Sequence, residues 1–409
     1  MRPLEEAPFL DPFTEEFQAD PRPIIDRILE QSWLARTPLG ALVVGREQVH
    51  KLLSDPRLQS ALMQLIRLQG VNEGRLYDLT ASALLSLDGA DHARIRSLVS
   101  RAFTPRAVEP YRPGMRALAE ELVERFIGAG ECEFMADFAD HYPIEVMCQV
   151  LGVPPEDHLR FARWGDALTH VLSLELSLHL EEVNEAVAGL NDYLDGLIAE
   201  RQGAPRQDLV SNLIAAGDDR DRLSPVELRA LLAGLLFAGY DTTRNQLALA
   251  MTLFCEHPDQ WQLMAERPEL VAPAVEEVMR VAGVVAVTPR VAVEDIELDG
   301  WRIPAWSLVS LSLAAANHDP AAFDDPHGFD IMARREPQLT FGGGPHFCLG
   351  ANLARAEMQE ALPVLARRLG PITLSGAPEW RSTTGIFGPN ALALRFSPRV
   401  VEDPLAGRP

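Results

Sequence analysis

The strongest constraint on the fold lies in the middle of the chain. Ser224-Pro225-Val226-Glu227 reads as a helix start. A serine cap, a proline at the first helical position and a glutamate three residues after the cap form a capping box. Nothing then breaks the pattern until His257-Pro258. The spacing predicts a helix from the Ser224 cap to about Glu256, roughly 45 Å long at 1.5 Å per residue. Such a rod crosses an entire domain. Leu231 to Ala238 is apolar on all faces, so the helix is expected to be buried. Whatever else the chain forms must pack around it.

The rest supplies what such a core needs. There are 409 residues, 47% of them hydrophobic, enough for a sizeable core. Helical patterns dominate from about Pro105 to Arg280; Met115, Leu118, Leu122 and Val123 share one face of a helix over Gly114 to Phe126. Strand-like pieces are short: Ala41–Val44, Arg290–Val293, Val309–Leu313 and Leu392–Phe396. No repeat or low-complexity tract appears. The expectation is a mainly α fold with small β-sheets, residues 1–409 forming one domain.

A net charge of −22 disfavours nucleic acid and anionic membranes as partners. The acidic N-terminus has no apolar h-region, and no apolar run reaches the roughly 18 residues of a membrane span. A soluble, cytoplasmic protein is expected. Lys51 is the only lysine. The four cysteines, Cys132, Cys148, Cys255 and Cys348, form no CxxC pair, so neither a zinc site nor a disulfide scaffold is expected. A reducing compartment fits.

One of these cysteines stands apart. In Phe341-Gly342-Gly343-Gly344-Pro345-His346-Phe347-Cys348-Leu349-Gly350, the glycines and proline predict a tight non-helical loop with the cysteine at its end. A helical pattern follows, placing Cys348 at a helix N-terminus, where free N–H groups and the macrodipole favour a thiolate. An isolated cysteine after a turn is usually an inert core residue. The ten-residue pattern is specific, however. It closely resembles the heme-binding loop of the cytochrome P450 superfamily. The resemblance implies the P450 fold, with heme b held between the long central helix and the cysteine loop, and Cys348 as the ligand of iron.

The resemblance extends along nearly the whole chain and assigns further residues. Ala238-Gly239-Tyr240-Asp241-Thr242-Thr243 sits mid-way along the long helix, where Asp, Thr and Gly are poor choices. It resembles the family's acid–alcohol pair, which implies that Asp241 and Thr242 relay protons to dioxygen while Ala238 and Gly239 leave room beside the cofactor. His92 and Arg96, four apart on one helical face, resemble the basic pair that meets heme propionates; Arg290 and His346 are the matching later pair. Phe341, Gly344 and Gly350 belong to the cofactor loop. Glu277-Val278-Met279-Arg280 resembles a structural Glu-x-x-Arg whose third member is Arg334 or Arg335; alanine stands where many relatives carry that arginine.

The implied reaction is monooxygenation. One atom of O2 enters a hydrophobic small molecule by hydroxylation or epoxidation, and electrons come from a separate ferredoxin and reductase. Arg94, Arg101 and Arg106 are candidates for docking that partner. Val284–Thr288, Ala238, Ser60–Ser86 and Phe387 are expected near the substrate, but those positions could equally be ordinary core. Two other readings are weighed. A peroxide-driven relative would lack the Asp241–Thr242 pair, and a heme sensor would be expected to carry a signalling segment.

Overall fold

The computed structural model describes residues 1–216, 222–381 and 385–398. The long helix runs from Pro225 to Glu256, and its capping box is complete: Glu227 N donates to Ser224 Oγ at 3.2 Å, and Ser224 N to Glu227 Oε2 at 2.8 Å. A cap of this kind contributes about 1 kcal/mol. From Tyr240 to Phe254 every residue except Thr242 is buried. Helices Tyr142–Leu151, His158–Leu168, Leu180–Gly203 and Ala351–Leu369 pack around it.

The expectation of all-round burial from Leu231 to Ala238 needs correction. Leu231, Leu232, Ala233 and Leu236 are buried, but Leu235 and Phe237 are only half-buried and Ala238 is exposed. Apolar residues on every side of a helix mean apolar neighbours only where neighbours exist; one side of this stretch faces open space.

The predicted helix over Gly114 to Phe126 is observed as Arg112–Phe126, with Met115, Leu118, Leu122 and Val123 all buried. It packs along Ala351–Leu369. The β structure is small. The largest sheet has five strands in the order Leu34–Thr37, Gly40–Val43, Leu308–Ser312, Val287–Ala292 and Leu58–Ser60. Within this sheet, only Gly40–Val43 and Leu308–Ser312 run parallel to each other. The four predicted strands correspond to Gly40–Val43, Val287–Ala292, Leu308–Ser312 and Ala393–Phe396. No helix among the described residues is long and apolar enough to cross a membrane.

The Glu277–Arg280 pair is buried and locks three segments together. Arg280 makes a two-pronged bond to Glu277, Nε to Oε2 and Nη2 to Oε1, each at 2.8 Å. Its remaining donors reach the carbonyls of Asn317, Pro326 and Gly328 at 3.1, 2.7 and 2.6 Å. The third member is Arg335, whose Nε lies 3.4 Å from Glu277 Oε1; Arg334 is exposed. Removing one partner of such a buried pair strands the other charge and costs about 3–5 kcal/mol. Arg280→Ala is therefore expected to lower the unfolding free energy by that amount. Arg334→Ala should change it by less than about 0.5 kcal/mol. Urea denaturation of the two variants checks both values.

Candidate active site

The cysteine loop is shaped by two glycines with positive φ, Gly342 at 68° and Gly344 at 61°. At Gly344 a Cβ would stand 2.3 Å from the carbonyl oxygen of Leu53, so only glycine fits. Cys348 N donates to Phe341 O at 2.9 Å and closes the loop. One turn of 3-10 helix, Gly344–His346, lies within it, where the sequence suggested no helix. Pro345, the second residue of that turn, has its φ fixed by its ring. Cys348 stands just ahead of helix Ala351–Leu369, which Gly350 caps.

The expectation that the helix N-terminus alone favours a thiolate is not met. Burial pushes the Cys348 thiol up; the Gly350 N–H and then the Arg96 and Arg355 guanidinium groups oppose that push without reversing it. Desolvation of a buried anion outweighs one backbone donor and two separated cations. Direct coordination to a metal ion deprotonates a thiol outright, so burial does not bar ligation. Burial pushes the other three cysteines up to about 12, with no cation opposing it.

On the long helix, Asp241 and Thr242 point to different sides, because successive residues are about 100° apart. Thr242 is half-buried, and its Oγ1 donates to Ala238 O at 2.5 Å. Together with exposed Ala238 it marks the open side of the helix. Asp241 is fully enclosed. Its Oδ1 accepts from Asn245 Nδ2 and from Arg381 Nη1, both at 2.9 Å, with Arg244 Nη1 at 3.8 Å. Its Oδ2 is buried with no hydrogen-bond partner among the described residues. Gly239 serves packing instead of opening space: a Cβ there would meet Met147 Sδ at 2.4 Å.

The four basic residues gather around the loop in unequal states. His92, on helix Gly89–Val99, is 3% exposed, and its Nε2 has no partner among the described residues. Burial lowers it to about 4, so its ring is neutral near pH 7. It lies 4.4 Å from the His346 ring. His346 is already paired, its Nε2 3.0 Å from Asp88 Oδ1. Arg96 donates to Phe347 O at 2.5 Å, and Arg290 to Thr288 Oγ1 and Pro289 O at 2.7 and 2.9 Å. Neither guanidinium has a carboxylate partner among the described residues, and burial holds both below the usual arginine range.

The family model for cytochrome P450 matches residues 158–380. Luteothin monooxygenase of Streptomyces thioluteus is 42% identical over 400 residues, covering 95% of this chain and 96% of that protein. Mycinamicin IV hydroxylase/epoxidase of Micromonospora griseorubida is 42% identical over 74% of this chain and 76% of its own. The solved structure of the bacillaene polyketide synthase cytochrome P450 PksS of Bacillus subtilis superposes with a TM-score of 0.86 at 30% identity, covering 94% of this chain and 99% of that one. The chain belongs to the cytochrome P450 family. It is a monooxygenase whose cofactor is heme b.

The P450's own residues fit that cofactor. A buried guanidinium group (Arg290) and a half-buried one (Arg96), neither with a carboxylate partner among the described residues, and an imidazole nitrogen without a partner leave a cationic and underbonded patch near the cysteine loop. A lone buried charge costs several kcal/mol. The two propionate groups of a heme offer the anions that the fold withholds. A Cβ built on Gly350 meets nothing within 4 Å, which leaves a smooth surface beside the sulfur.

The expected substrate residues are partly brought together. Val284 N–H is not free for a ligand, since it donates to Gln246 Oε1 at 3.0 Å. Leu249, Val284 and Ile386 form an apolar cluster, with Phe237, Val285 and Phe387 packed against it. Ser60 is structural: its Oγ donates to Leu85 O at 2.7 Å, and its N–H reaches Asp88 Oδ2 at 3.0 Å. Sequence reasoning missed Asp88, Arg381 and Asn245. Asn245 could have been found, four residues after Asp241 on one helix face; Arg381 and Asp88 carry no local signal.

Glycine substitutions separate loop folding from cofactor fit. Gly344→Ala is expected to destabilise the apoprotein, through a clash with Leu53 and a left-handed backbone costing about 1–2 kcal/mol. Gly350→Ala should leave apoprotein stability unchanged while lowering heme bound per chain. Apoprotein melting and pyridine hemochrome assays measure the two effects; an unaltered heme content in Gly350→Ala would show that the cofactor does not lie against that residue.

Proposed function

We propose that this P450 hydroxylates or epoxidises a hydrophobic small molecule in the cytoplasm, with electrons from a separate ferredoxin and its reductase. The observation that carries the reading is the Cys348 loop, closed onto Phe341 and ringed by His92, Arg96 and Arg290. Thiolate-ligated heme supplies the electron push that cleaves the O–O bond. The protein's tasks are to hold that ligand, exclude water and deliver protons.

His92, Arg96, Arg290 and His346 anchor the propionates, and Phe341, Gly344 and Gly350 shape the loop. The apolar wall around Val284 and Phe387 binds an apolar ligand and sheds water. Two relatives named for a luteothin reaction and for a hydroxylase/epoxidase reaction support the reaction class. Proton delivery falls to Thr242 and Asp241. Thr242 Oγ1 turns from Ala238 O into the open side, where it donates to dioxygen. Asp241 resupplies it by taking up a proton from solvent and passing it on, which requires Oδ1 to leave Arg381 so that the carboxylate reaches water. Asp241→Asn is expected to lower turnover by at least about 10²-fold, the usual scale for a general acid. Substrate-induced spectral shifts should persist. An unchanged rate of product formation would remove Asp241 from the relay.

Arg94 drops out as a docking residue, because it pairs with Glu227 in the cap of the long helix. Arg101 and Arg106 are exposed. Charge reversal at Arg101 is expected to raise the KM for ferredoxin, more so at low ionic strength, without changing kcat for substrate at saturating ferredoxin.

The first experiment is the carbon monoxide difference spectrum of the reduced protein beside Cys348→Ala. A long-wavelength Soret band that the variant lacks establishes the thiolate and the ligating residue together. A histidine-type spectrum in the wild type would overturn the proposal.

A further inference from the structure

We infer that His141, Glu145 and His158 form a zinc site on the face of the molecule carried by helices Tyr142–Leu151 and His158–Leu168. One ligand atom from each residue lies within 4.8 Å of the other two. His141 caps the first helix, and Glu145 follows one turn later; Glu145 N donates to His141 O at 3.1 Å, which fixes both side chains on one face. His158 opens the second helix, and its Nε2 lies 3.9 Å from Glu145 Oε1. The two rings meet edge to face, 6.3 Å between centroids at 70°.

Two hydrogen-bond observations point to a ligand. His158 Nδ1 is 2.6 Å from the carbonyl oxygen of Pro155. A carbonyl only accepts, so Nδ1 carries a proton, and in the neutral ring the Nε2 lone pair is turned to the Glu145 carboxylate. In that form two electron-rich atoms face each other, and a cation fits between them. The hydrogen bond to Pro155 is also the outer contact that orients a metal-binding imidazole. Second, His141 Nδ1 is buried and has no hydrogen-bond partner among the described residues.

Two imidazoles and one carboxylate are the donor set of an open tetrahedral zinc site, with water in the fourth position. Calcium and magnesium prefer oxygen throughout. All three side chains are half-buried, which leaves an edge for that water. Ligand atoms around tetrahedral zinc stand about 3.3 Å apart. Closing the 3.9 Å gap needs only side-chain adjustment. A second cluster, His170, His179 and Glu182, makes a useful contrast. Its two rings stack face to face at 3.6 Å and 6°. Lone pairs lying in parallel planes do not converge on one ion, so this cluster is not assigned a metal.

An ion at the first site would tie together two helices that both bear on the turn carrying Asp241 and Thr242. Met147 of one packs on Gly239, and Asp166 of the other accepts from Tyr240 Oη and Arg244 Nη1 at 3.0 and 2.9 Å.

The test uses the holoenzyme, prepared without a polyhistidine tag, stripped with chelator and dialysed against micromolar zinc chloride. Metal is counted by mass spectrometry beside heme iron. The expected result is one zinc per chain. His158→Ala and Glu145→Gln should weaken zinc by more than the roughly 10–100-fold that loss of an outer partner costs. The double change His170→Ala, His179→Ala should leave the count at one. Glu145→Gln preserves side-chain volume, and an unaltered carbon monoxide spectrum certifies the fold of each variant. A wild type that retains no zinc overturns the proposal. Zinc that survives Glu145→Gln, or is lost in the double variant, overturns it equally.

Discussion

The structure depends on how the long helix satisfies the polar groups it buries. Asp241, Arg244, Asn245 and Gln246 follow almost without interruption in the most enclosed part of Pro225–Glu256. Each must find partners or cost the core its stability. Asn245 bonds Asp241 one turn back, and the other partners come from distant parts of the chain. Arg244 reaches Asp140 and Asp166, Asp241 takes Arg381, and Gln246 bonds the backbone at Ala282 and Val284. One turn of helix thus fixes the helices on one side and the apolar wall on the other. Hydrophobic burial places the rod in the core; these polar contacts set its rotation and register.

Around Cys348 the opposite condition holds. The fold gathers Arg96, Arg290 and His92 there and leaves both guanidinium groups without a carboxylate and His92 Nε2 without a partner among the described residues. The nearby carboxylate of Asp88 is occupied by His346 and the Ser60 N–H. A surplus of buried positive charge is unfavourable in the isolated chain and favourable once a dianionic cofactor supplies the counter-charge. The residues that would hold the cofactor are therefore the ones its absence leaves uncompensated, and coordination would supply the charge that burial withholds from the Cys348 thiol.

Local patterns made much of this legible. The Ser224 cap, the His257-Pro258 stop, the amphipathic face of Arg112–Phe126 and the Gly-rich cysteine loop all encode structure within a few residues, and each is observed. The cofactor and the reaction class followed from the resemblance carried by that loop. What stayed hidden depends on contacts between segments far apart in sequence. Arg335 and Arg334 are adjacent and alike, and only the packed chain shows that Arg335 approaches Glu277. Gly239 looked like room for a ligand, and its missing side chain is filled by Met147. Counting cysteines could not reveal the His141, Glu145 and His158 cluster, because His158 joins the other two only through tertiary structure.

The hold on Asp241 and the apolar wall share a backbone. Arg381 follows strand Glu379–Trp380, which pairs with Pro389–Ala391, and its N–H donates to Gly388 O at 3.0 Å. Trp380 stacks on Phe387, 5.2 Å between centroids and 7° from parallel. Phe387 in turn bonds through its N–H to Val284 O at 3.0 Å, the residue that Gln246 holds from the long helix. A closed circuit results: Asp241 to Arg381, through the paired strands to Phe387, through Val284 to Gln246, and back along the helix to Asp241. If the proposed relay holds, an apolar ligand pressing on Phe387 would act on the same circuit that restrains Asp241. The shape of the apolar wall and the freedom of that carboxylate would then be set together, and neither could be altered by substitution without reference to the other.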